Sequence, residues 1–258
     1  MSFENITYQV NGALGLITLN RPEKHNAVSL GMLDELHSAL SEAEANSSIR
    51  VVGITGAGTK AFASGSDLNE VRQRDIRKAL QPIVQGFAER LERSDKIIIA
   101  AINGFCMGGG LEVALGCDIR IGTPNARFAT PEGKLGIIPG GGATQRLPRI
   151  VGKAWGMEML LMGETINAQQ AYQMGLITRL VESEKLMTEL EHMAEHIASF
   201  APLVPRIMKA MVTYGLDSTQ MTGLALEKFA QAALCETDDK KEGLEAFLEK
   251  RKPEWSDY

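Results

Sequence analysis

The chain has 258 residues, of which 44% are hydrophobic, and its formal net charge is −5. This length and composition suit one large domain, or a domain with a small extension, around a full hydrophobic core. The acidic balance gives no electrostatic reason to expect nucleic acid or an anionic membrane as the main partner, and no apolar run approaches the roughly 20 residues that span a bilayer.

The first predicted elements are a hairpin and a helix. The segment "ITYQV-NG-ALGLITL" predicts two short strands around Asn11 and Gly12, because this pair tolerates positive φ and favours a tight turn. From Ser29 to about Ala45, a serine cap precedes leucines at helical spacing. These leucines are Leu30, Leu33, Leu36 and Leu40.

Strands and helices then alternate. The segments "VVGIT" and "IIIAAIN" predict buried strands, with a long helical stretch from about Leu68 to Ser94 between them, and "IRIG" predicts a further short strand. This alternation indicates an α/β fold with crossover connections. Beyond about Gly152 the pattern is almost wholly helical, apart from "GLITRLV". We therefore divide the chain into residues 1–201 and a terminal helical region, residues 202–258.

Two glycine-containing loops follow the predicted buried strands. Gly108 to Gly110 precede the helical run "LEVALG", where backbone N–H groups have no intrahelical partner and can bind an anion. The second loop exposes backbone amides at Ser64, Gly65 and Ser66. If the two strands are parallel neighbours, one amide from each loop can hold a single oxygen, as in an oxyanion hole. An ordinary tight turn would explain either loop alone.

Two carboxylates border this predicted site. Glu112 lies in the first turn of the helix after the glycines, and Glu132 follows Pro131 in "FATPEGKLGIIPGGGATQRLPR". A pair of carboxylates near one reacting carbon can hold a water molecule and transfer a proton. Either residue alone would also fit an exposed or helix-capping glutamate, so the hypothesis depends on the combination.

Six segments carry a resemblance that covers nearly the whole chain. They are "LNRPEKHNAVS", "ITGAGTKAFASGSDLNEV", "AAINGFCMGGGLEVALGCDIRI", "FATPEGKLGIIPGGGATQRLPR", "GLITRLV" and "EGLEAFLEKRKPEW". Together they resemble the enoyl-CoA hydratase/isomerase (crotonase) superfamily. The resemblance implies a spiral of ββα units over residues 1–201, which carries CoA and the active site. It also implies that residues 202–258 mediate a homotrimer, with trimers commonly pairing into hexamers.

The resemblance also implies the catalytic residues. The family's two oxyanion-hole amides fall on Ser66 and Gly109, which would bind the thioester carbonyl of an acyl-CoA substrate. The family's catalytic glutamates fall on Glu112 and Glu132. Both would hold the water that adds to the β-carbon of a 2-enoyl-CoA, and Glu132 would exchange the proton at the α-carbon. Isomerases of the family tend to lack the carboxylate at the position of Glu112, so its presence favours a hydratase.

Contacts with the substrate are expected around the first oxyanion loop. The resemblance places CoA binding on Ser64, Gly65, Ser66, Asp67 and Leu68, with Lys24 near a CoA phosphate and Gly140 lining the acyl pocket. The serines replace residues that are usually alanine in the family, and the Ser66 hydroxyl can alter the pocket. No metal and no cofactor are expected, because coenzyme A is part of the substrate.

Alternatives remain within the family and outside it. A branched-chain, methylglutaconyl-type hydratase or an enoyl-CoA isomerase would share the same motifs. "HMAEH" matches the H-x-x-E-H spelling of some zinc peptidases, but His192 and His196 lie off the apolar stripe of their helix. An RNA-binding helix in "VRQRDIRKALQPIVQGFAERLERSDK" is disfavoured, because acidic residues alternate with the basic ones.

The cysteines and the N-terminus bear on the compartment. Cys106, Cys117 and Cys235 have no close paired spacing, which supports neither a disulfide framework nor a zinc ribbon. "MSFENITYQV" has no apolar signal core and no Arg-rich transit pattern. We therefore expect a cytoplasmic protein, although a mature organellar protein would look the same. The family resemblance suggests a role in fatty acid β-oxidation.

Overall fold

Two β-sheets and a set of packed helices form the protein. The structure is a computed structural model that describes residues 3–256, so the first two residues of "MSFENITYQV" and the last two of the terminal helical region lie outside the described residues. The strands are β1 (Ile6–Asn11), β2 (Leu14–Leu19), β3 (Val51–Gly56), β4 (Ala61–Ala63), β5 (Ile97–Ile102), β6 (Phe105–Met107), β7 (Ile119–Gly122), β8 (Arg127–Ala129), β9 (Ile166–Asn167) and β10 (Arg179–Leu180).

Helices account for most of the second half of the chain. They are α1 (Leu30–Ala45), α2 (Leu68–Arg72), α3 (Ile76–Ala79), α4 (Ile83–Arg93), α5 (Gly108–Leu115), α6 (Ala143–Val151), α7 (Lys153–Met162), α8 (Ala168–Gln173), α9 (Leu186–Ala198), α10 (Leu203–Leu216), α11 (Gln220–Cys235) and α12 (Asp238–Glu249). Short 3₁₀ turns cover Pro22–Lys24, Pro131–Leu135 and Ser183–Lys185.

The larger sheet has the strand order β1-β2-β3-β5-β7-β10, and the smaller has the order β4-β6-β8-β9. In the larger sheet only the β1–β2 hairpin is antiparallel. In the smaller sheet β4, β6 and β8 are parallel, and β9 closes the edge in the opposite direction. Each of β3, β5 and β7 is thus followed by a short strand of the second sheet. This repeat confirms the predicted α/β spiral with crossover connections.

The central strands are buried on both faces. Every residue of β3 and β5 is buried, as expected for a parallel sheet covered on each side. Leu186, Leu190 and Met193 of α9 cover one face of the larger sheet. Helices α1 and α4 and the second sheet bury the other face, where Leu36 and Phe87 are fully enclosed. Replacing such a leucine with alanine typically costs about 2 to 5 kcal/mol.

The hairpin turn lies one residue later than predicted. Asn11 still pairs with Leu14 as part of the ladder, so the turn residues are Gly12 and Ala13. Of these two only Gly12 has a positive φ, 58°, so a turn with glycine in its first position satisfies the backbone. The predicted helix α1 and its Ser29 cap are confirmed, with the Ser29 hydroxyl accepting a bond from Met32 N at 3.2 Å.

The long helix predicted over residues 68–94 is wrong, because α2, α3 and α4 replace it. Asp75 caps a new helix by accepting a bond from Lys78 N at 2.8 Å. Pro82 then begins α4, since proline has no N–H to continue a preceding helix and restricts the residue before it. The three short helices form one wall of the cavity described below.

The terminal helices carry an exposed apolar surface. Helices α10 and α11 contain no buried residue. The large exposed hydrophobic side chains are Met208, Val212, Tyr214, Leu216, Met221, Leu224, Leu226, Phe229, Leu244, Phe247 and Leu248. The division of the chain at residue 202 remains a prediction. In the part of the chain that the structure describes, no helix combines the length and apolarity needed to cross a membrane.

The three cysteines are free thiols in two different environments. Cys106 and Cys117 are buried, whereas Cys235 on α11 is exposed. Burial raises the pKa of Cys117 to about 12 and raises the pKa of Cys106 as well, so both internal thiols stay protonated and unreactive near neutral pH.

Candidate active site

The two glycine-containing loops meet where the small sheet ends. The strands directly before them are β4 and β6, which are parallel neighbours, rather than β3 and β5 as the sequence suggested. A Cβ atom added to Gly109 would lie 2.5 Å from Ser66 Oγ and 3.2 Å from Ser66 N. The predicted pair of amides is therefore side by side in the structure.

Both amides are available to a ligand. Gly109 is the second residue of α5, so its N–H has no intrahelical acceptor. Val28 N donates to Gly65 O and Asp67 N donates to Val28 O, each at 2.8 Å. Successive residues of an extended chain direct their N–H groups to opposite sides, so the intervening Ser66 N–H points away from Val28.

The glycines before Glu112 are required by close contacts. A Cβ atom on Gly108 would lie 2.8 Å from Glu132 Oε1, and Gly108 also has a positive φ of 45°. A Cβ atom on Gly110 would collide with the backbone and side chain of Ala63. The predicted helix begins at these glycines rather than after them, and β6 separates them from the buried strand β5. Because these glycines have no side chains, the start of α5 can pack directly against the first loop and against Glu132.

Glu112 is a buried and firmly held carboxylate. Only 3% of the residue is exposed, and its Oε1 accepts bonds from Gly141 N at 2.6 Å and Ala143 N at 3.1 Å. Burial raises the pKa of Glu112, whereas these backbone bonds and the charge of Arg146 act to lower it. Oε2 makes no hydrogen bond within the described residues and can accept one from a ligand.

Glu132 is the other carboxylate, and one of its oxygens is unpartnered. It lies in the 3₁₀ turn Pro131–Leu135 and is 9% exposed. Its Oε2 is buried and has no hydrogen-bond partner among the described residues. Burial raises the pKa of Glu132 to about 7, and the charge of Glu112 adds to this rise. Glu132 therefore holds a proton over a pH range in which an ordinary glutamate is ionised, and it exchanges that proton near neutral pH.

A single cavity brings the predicted residues together. It has a volume of about 1180 Å³. The predicted residues that line it are Lys24, Ser64, Gly65, Ser66, Asp67, Leu68, Gly109, Glu112, Glu132 and Gly140. The structure thus gathers all of them around one space, and their individual roles stay predictions.

Asp67 and Lys24 also have structural partners. Asp67 Oδ2 accepts a bond from Arg21 Nη2 at 3.1 Å, and Asp67 Oδ1 caps α2 through Asn69 N at 3.1 Å. Lys24 Nζ lies 3.9 Å from Asp67 Oδ2 and is half exposed. Asp67 therefore stabilises the conformation of the first loop, and Lys24 places an ammonium group in the lining of the cavity.

The cavity has an apolar wall that the sequence patterns did not reveal. Its residues are Leu68, Val71, Ala79, Ile83, Val84, Leu135, Ile137, Ile138 and Pro139. They come from the broken helical stretch α2–α4 and from the segment before α6. A long helix predicted over residues 68–94 would not turn these side chains toward one space. The Asp75 and Pro82 signals were available in the sequence and would have indicated the breaks.

The zinc-peptidase motif lies outside the cavity, whereas the segment considered for RNA binding supplies part of the cavity wall. His192 and His196 are exposed on α9, as predicted from its apolar stripe, and the described residues contain no cluster of potential metal ligands. The segment considered for RNA binding forms the end of α2 and all of α3 and α4 rather than one basic helix. Within it, Arg90 pairs with Glu44 at 2.8 Å, and the remaining helices are short.

Comparisons with known proteins agree over the full length. The family described as Enoyl-CoA hydratase/isomerase matches residues 9–258. The chain is 37% identical over 256 residues to the short-chain-enoyl-CoA hydratase of Clostridium acetobutylicum, covering 98% of each chain. It is 40% identical over 240 residues to the 2,3-dehydroadipyl-CoA hydratase of Escherichia coli, covering 93% of this chain and 94% of that one.

Solved structures show the same similarity. The crystal structure of an enoyl-CoA hydratase from Bacillus anthracis matches with a TM-score of 0.95 at 37% identity, covering 99% of this chain and 100% of that chain. An enoyl-CoA hydratase structure from Geobacillus kaustophilus matches with a TM-score of 0.94 at 37% identity, covering 99% of each chain. The predicted crotonase-like fold is confirmed, and the chain belongs to the enoyl-CoA hydratase/isomerase family.

Proposed function

We propose that this protein is an enoyl-CoA hydratase, a hydro-lyase that adds water reversibly across the 2,3 double bond of a 2-enoyl-CoA. The observation that carries the proposal is the pairing of two buried carboxylates beside two free backbone amides in one cavity. Glu112 and Glu132 supply proton transfer, and Ser66 N and Gly109 N supply the oxyanion hole. The reaction uses no bound metal or further cofactor.

The proposed reaction begins with the thioester oxygen at the two amides. Ionised Glu112 accepts a proton from water as the water oxygen bonds to the β-carbon, and the π electrons move onto the thioester oxygen. Protonated Glu132 then donates its proton to the α-carbon, which restores the carbonyl and completes the 3-hydroxyacyl-CoA. The proton on Glu112 returns to Glu132 through water, which resets the pair. Losing one oxyanion-hole donor typically costs about 3 to 4 kcal/mol in transition-state stabilisation.

The pair of carboxylates favours hydration over isomerisation. Moving a double bond requires a base that shuttles one proton, whereas hydration also requires a group that holds and deprotonates water. Glu112 has an unbonded Oε2 for this second task. Relatives named for short-chain, crotonyl and 2,3-dehydroadipyl substrates support a 2-enoyl-CoA as substrate, and a methylglutaconyl-type acyl group is the branched alternative.

The proposal extends to assembly and setting. The exposed apolar side chains of α10, α11 and α12 support a homotrimer formed through the terminal helical region, with pairing of trimers into a hexamer. We place the enzyme in the cytoplasm and in fatty acid β-oxidation.

The first test is loss of the enoyl-thioester absorbance of crotonyl-CoA, beside longer and branched enoyl-CoA substrates. We expect fast hydration by the wild type and a loss of several orders of magnitude in Glu132→Gln. The basic limb of kcat/KM should lie near pH 7, where Glu132 loses its proton. If no enoyl-CoA is hydrated while a 3-enoyl-CoA is isomerised, the protein is an isomerase instead.

A further inference from the structure

The backbone N–H and carbonyl groups of Gly141 link Glu112 to the guanidinium of Arg146. Gly141 N donates to Glu112 Oε1 at 2.6 Å, and Gly141 O accepts from Arg146 Nη1 at 3.0 Å. Arg146 lies on α6, and Glu112 lies on α5. The loop between residues 139 and 142 is therefore held between a proposed catalytic carboxylate and a guanidinium that does not line the cavity.

Arg146 is itself fixed by a carboxylate from a third helix. Its Nε and Nη2 donate to Glu92 Oε1 and Oε2 of α4, each at 2.7 Å. This two-point geometry leaves the guanidinium little freedom to rotate. The Arg146 side chain is 13% exposed and the Glu92 side chain is 33% exposed, so solvent screens the pair only partly. All three guanidinium nitrogens are thus engaged, and the third holds Gly141.

The glycines of this loop fit tightly between the two charged groups. A Cβ atom on Gly141 would lie 2.6 Å from Glu112 Oε2 and 2.7 Å from Val84 Cγ1. Gly142 has a φ of 110°, and a Cβ atom there would collide with the Arg146 guanidinium. Any side chain at either position would push the loop off Glu112 or off Arg146.

We propose that the Glu92–Arg146 pair is a positioning device for Glu112, holding the Gly141 and Ala143 amides on Oε1 so that Oε2 faces the water. Arg146 and Glu92 are positioning residues, because neither touches the reacting atoms. The inference rests on the proposed function in treating Glu112 as the group that activates water. It adds two residues that have no proton-transfer role of their own.

The charges around Glu112 support the same arrangement. Burial raises the pKa of Glu112, and the Arg146 charge and the loop amides oppose that rise. The titratable group that faces Glu112 from the cavity is Glu132, whose own pKa Glu112 raises. Glu92 and Glu89 face Arg146 from α4 and stabilise its charge. Replacing Arg146 would leave Glu112 buried and would remove the positive charge that opposes the rise in its pKa.

The test compares four variants in crotonyl-CoA hydration across pH. Arg146→Gln and Glu92→Gln break the pair, Arg146→Lys keeps the charge, and Arg149→Gln is the matched control. Arg149 is on the same helix, is exposed, and bonds only to Gln145. We expect kcat to fall about 10- to 100-fold in Arg146→Gln with KM nearly unchanged, since a misplacement of about 1 Å can cost this much.

The pH profile separates positioning from a general loss of structure. The acid limb of kcat should move upward by about one pH unit in Arg146→Gln, because Glu112 loses its nearby cation. Arg146→Lys should return that limb toward the wild-type position while recovering only part of kcat. Glu92→Gln should lower kcat less and leave the limb nearly in place, because the cation remains. Arg149→Gln should match the wild type in both readouts.

The proposal can be overturned in three ways. One is a folded Arg146→Gln variant with wild-type kcat and an unmoved acid limb, while Glu112→Gln is inactive. If Arg146→Gln does not fold, a wild-type kcat in Glu92→Gln overturns it equally. If the wild type hydrates no enoyl-CoA, the proposed function fails. In that case the positioning role of the Glu92–Arg146 pair is tested by infrared titration of Glu112. The Glu112 signal is the wild-type spectrum minus the Glu112→Gln spectrum. An upward pKa shift in Arg146→Gln supports it, and an unchanged pKa overturns it.

Discussion

Glu132 Oε2 is buried and has no hydrogen-bond partner among the described residues. A buried carboxylate without a partner is costly, and proteins generally avoid it unless the group has a task. The cost is reduced when the group holds a proton, which is why burial raises its pKa to about 7. A carboxyl group with a pKa near neutral pH can deliver a proton to carbon and take it back.

The same shift has a measurable effect on stability. The folded-state pKa of Glu132, about 7, lies above the ordinary value of 4.5. The stabilising contribution of its proton is therefore fully present below about pH 4.5 and is lost as the pH rises through 7. We expect Glu132→Gln to raise the free energy of unfolding at pH 8 by about 1 to 3 kcal/mol, with little gain at pH 4.5. Thermal denaturation at the two pH values checks this, and equal gains at both would contradict it.

Gly109 and Ser66 should show coupled effects on turnover. The Cβ atom of Gly109→Ala would lie 2.5 Å from Ser66 Oγ and 3.2 Å from Ser66 N, so the Ser66 side chain or its loop must shift. We expect kcat to fall about 100- to 1000-fold. Ser66→Ala alone should be nearly silent, because only its amide takes part.

The double variant should recover part of the loss, since the closest obstacle is then removed and Ser66 N at 3.2 Å remains. A double-mutant cycle on kcat measures this coupling. Strictly additive losses would show that the Ser66 hydroxyl is not the group that the added methyl displaces.

The grouping of the site residues was predictable from the sequence where the segments are local and specific, and the roles of these residues stay predictions. Glu112, Glu132 and the two loops stand in recognisable segments, and the structure places them together. Arg146 and Glu92 were not found, because the bond that joins them spans 54 positions and arises only when α4 packs beside α6. No periodicity or spacing within one element reports such a contact.

At the scale of elements, the terminal helix α10 is attached in part through the enclosed side chain of a lysine. Lys209 Nζ lies 2.9 Å from Asp118 Oδ2 and donates to the carbonyl oxygens of Leu91 at 2.7 Å and Lys96 at 2.9 Å. Asp118 in turn accepts a bond from Ile98 N at 2.7 Å. One side chain thus joins α10 to α4 and to the central strand β5.

Lys209→Met should loosen this attachment. It leaves the Asp118 carboxylate without its ion-pair partner, with only the Ile98 N–H bond and the charge of Arg120 to stabilise it. Removing one partner of a buried pair typically costs about 3 to 5 kcal/mol. We expect a lower Tm at fixed protomer concentration and faster proteolysis between α9 and α10.

The control for this change is Lys241→Met, which removes an exposed ion pair with Asp238 and should alter stability by less than about 1 kcal/mol. Adding Asp118→Asn to Lys209→Met should restore part of the loss. If the Tm of Lys209→Met equals that of Lys241→Met, α10 is held by other contacts.

Elements with long, regular patterns were predictable, and so was the four-residue strand β7, whereas the three-residue strands that precede the oxyanion loops were not. The leucine spacing of α1 and the apolar runs of β3 and β5 lead directly to the observed elements. Strands β4 and β6 contain three residues each, which is too short for alternation to be recognised. Their positions depend on pairing with each other, and this pairing decides where the oxyanion loops lie.

At the scale of the whole molecule, the apolar surface of the terminal helices leads to a prediction on assembly. Phe229 on α11 is 76% exposed, and Ile76 on α3 is 77% exposed. We expect Phe229→Asp combined with Met221→Asp to dissociate the proposed trimer, because both charges would be buried in the proposed interface. Light scattering coupled to gel filtration measures the mass. Ile76→Asp is equally exposed and should leave the assembly intact, whereas dissociation by both changes, or by neither, would contradict the proposed interface.

The unequal environments of the three thiols have a practical consequence. With Cys106 and Cys117 enclosed and Cys235 accessible on α11, a maleimide dye should attach once per protomer without any engineered mutation. In the proposed homotrimer the dyes would stand at equivalent positions, and energy transfer between these identical fluorophores would report the distance that separates them. Fluorescence anisotropy of the labelled natural chain would then fall as protomers associate and rise on dilution, giving the association constant directly.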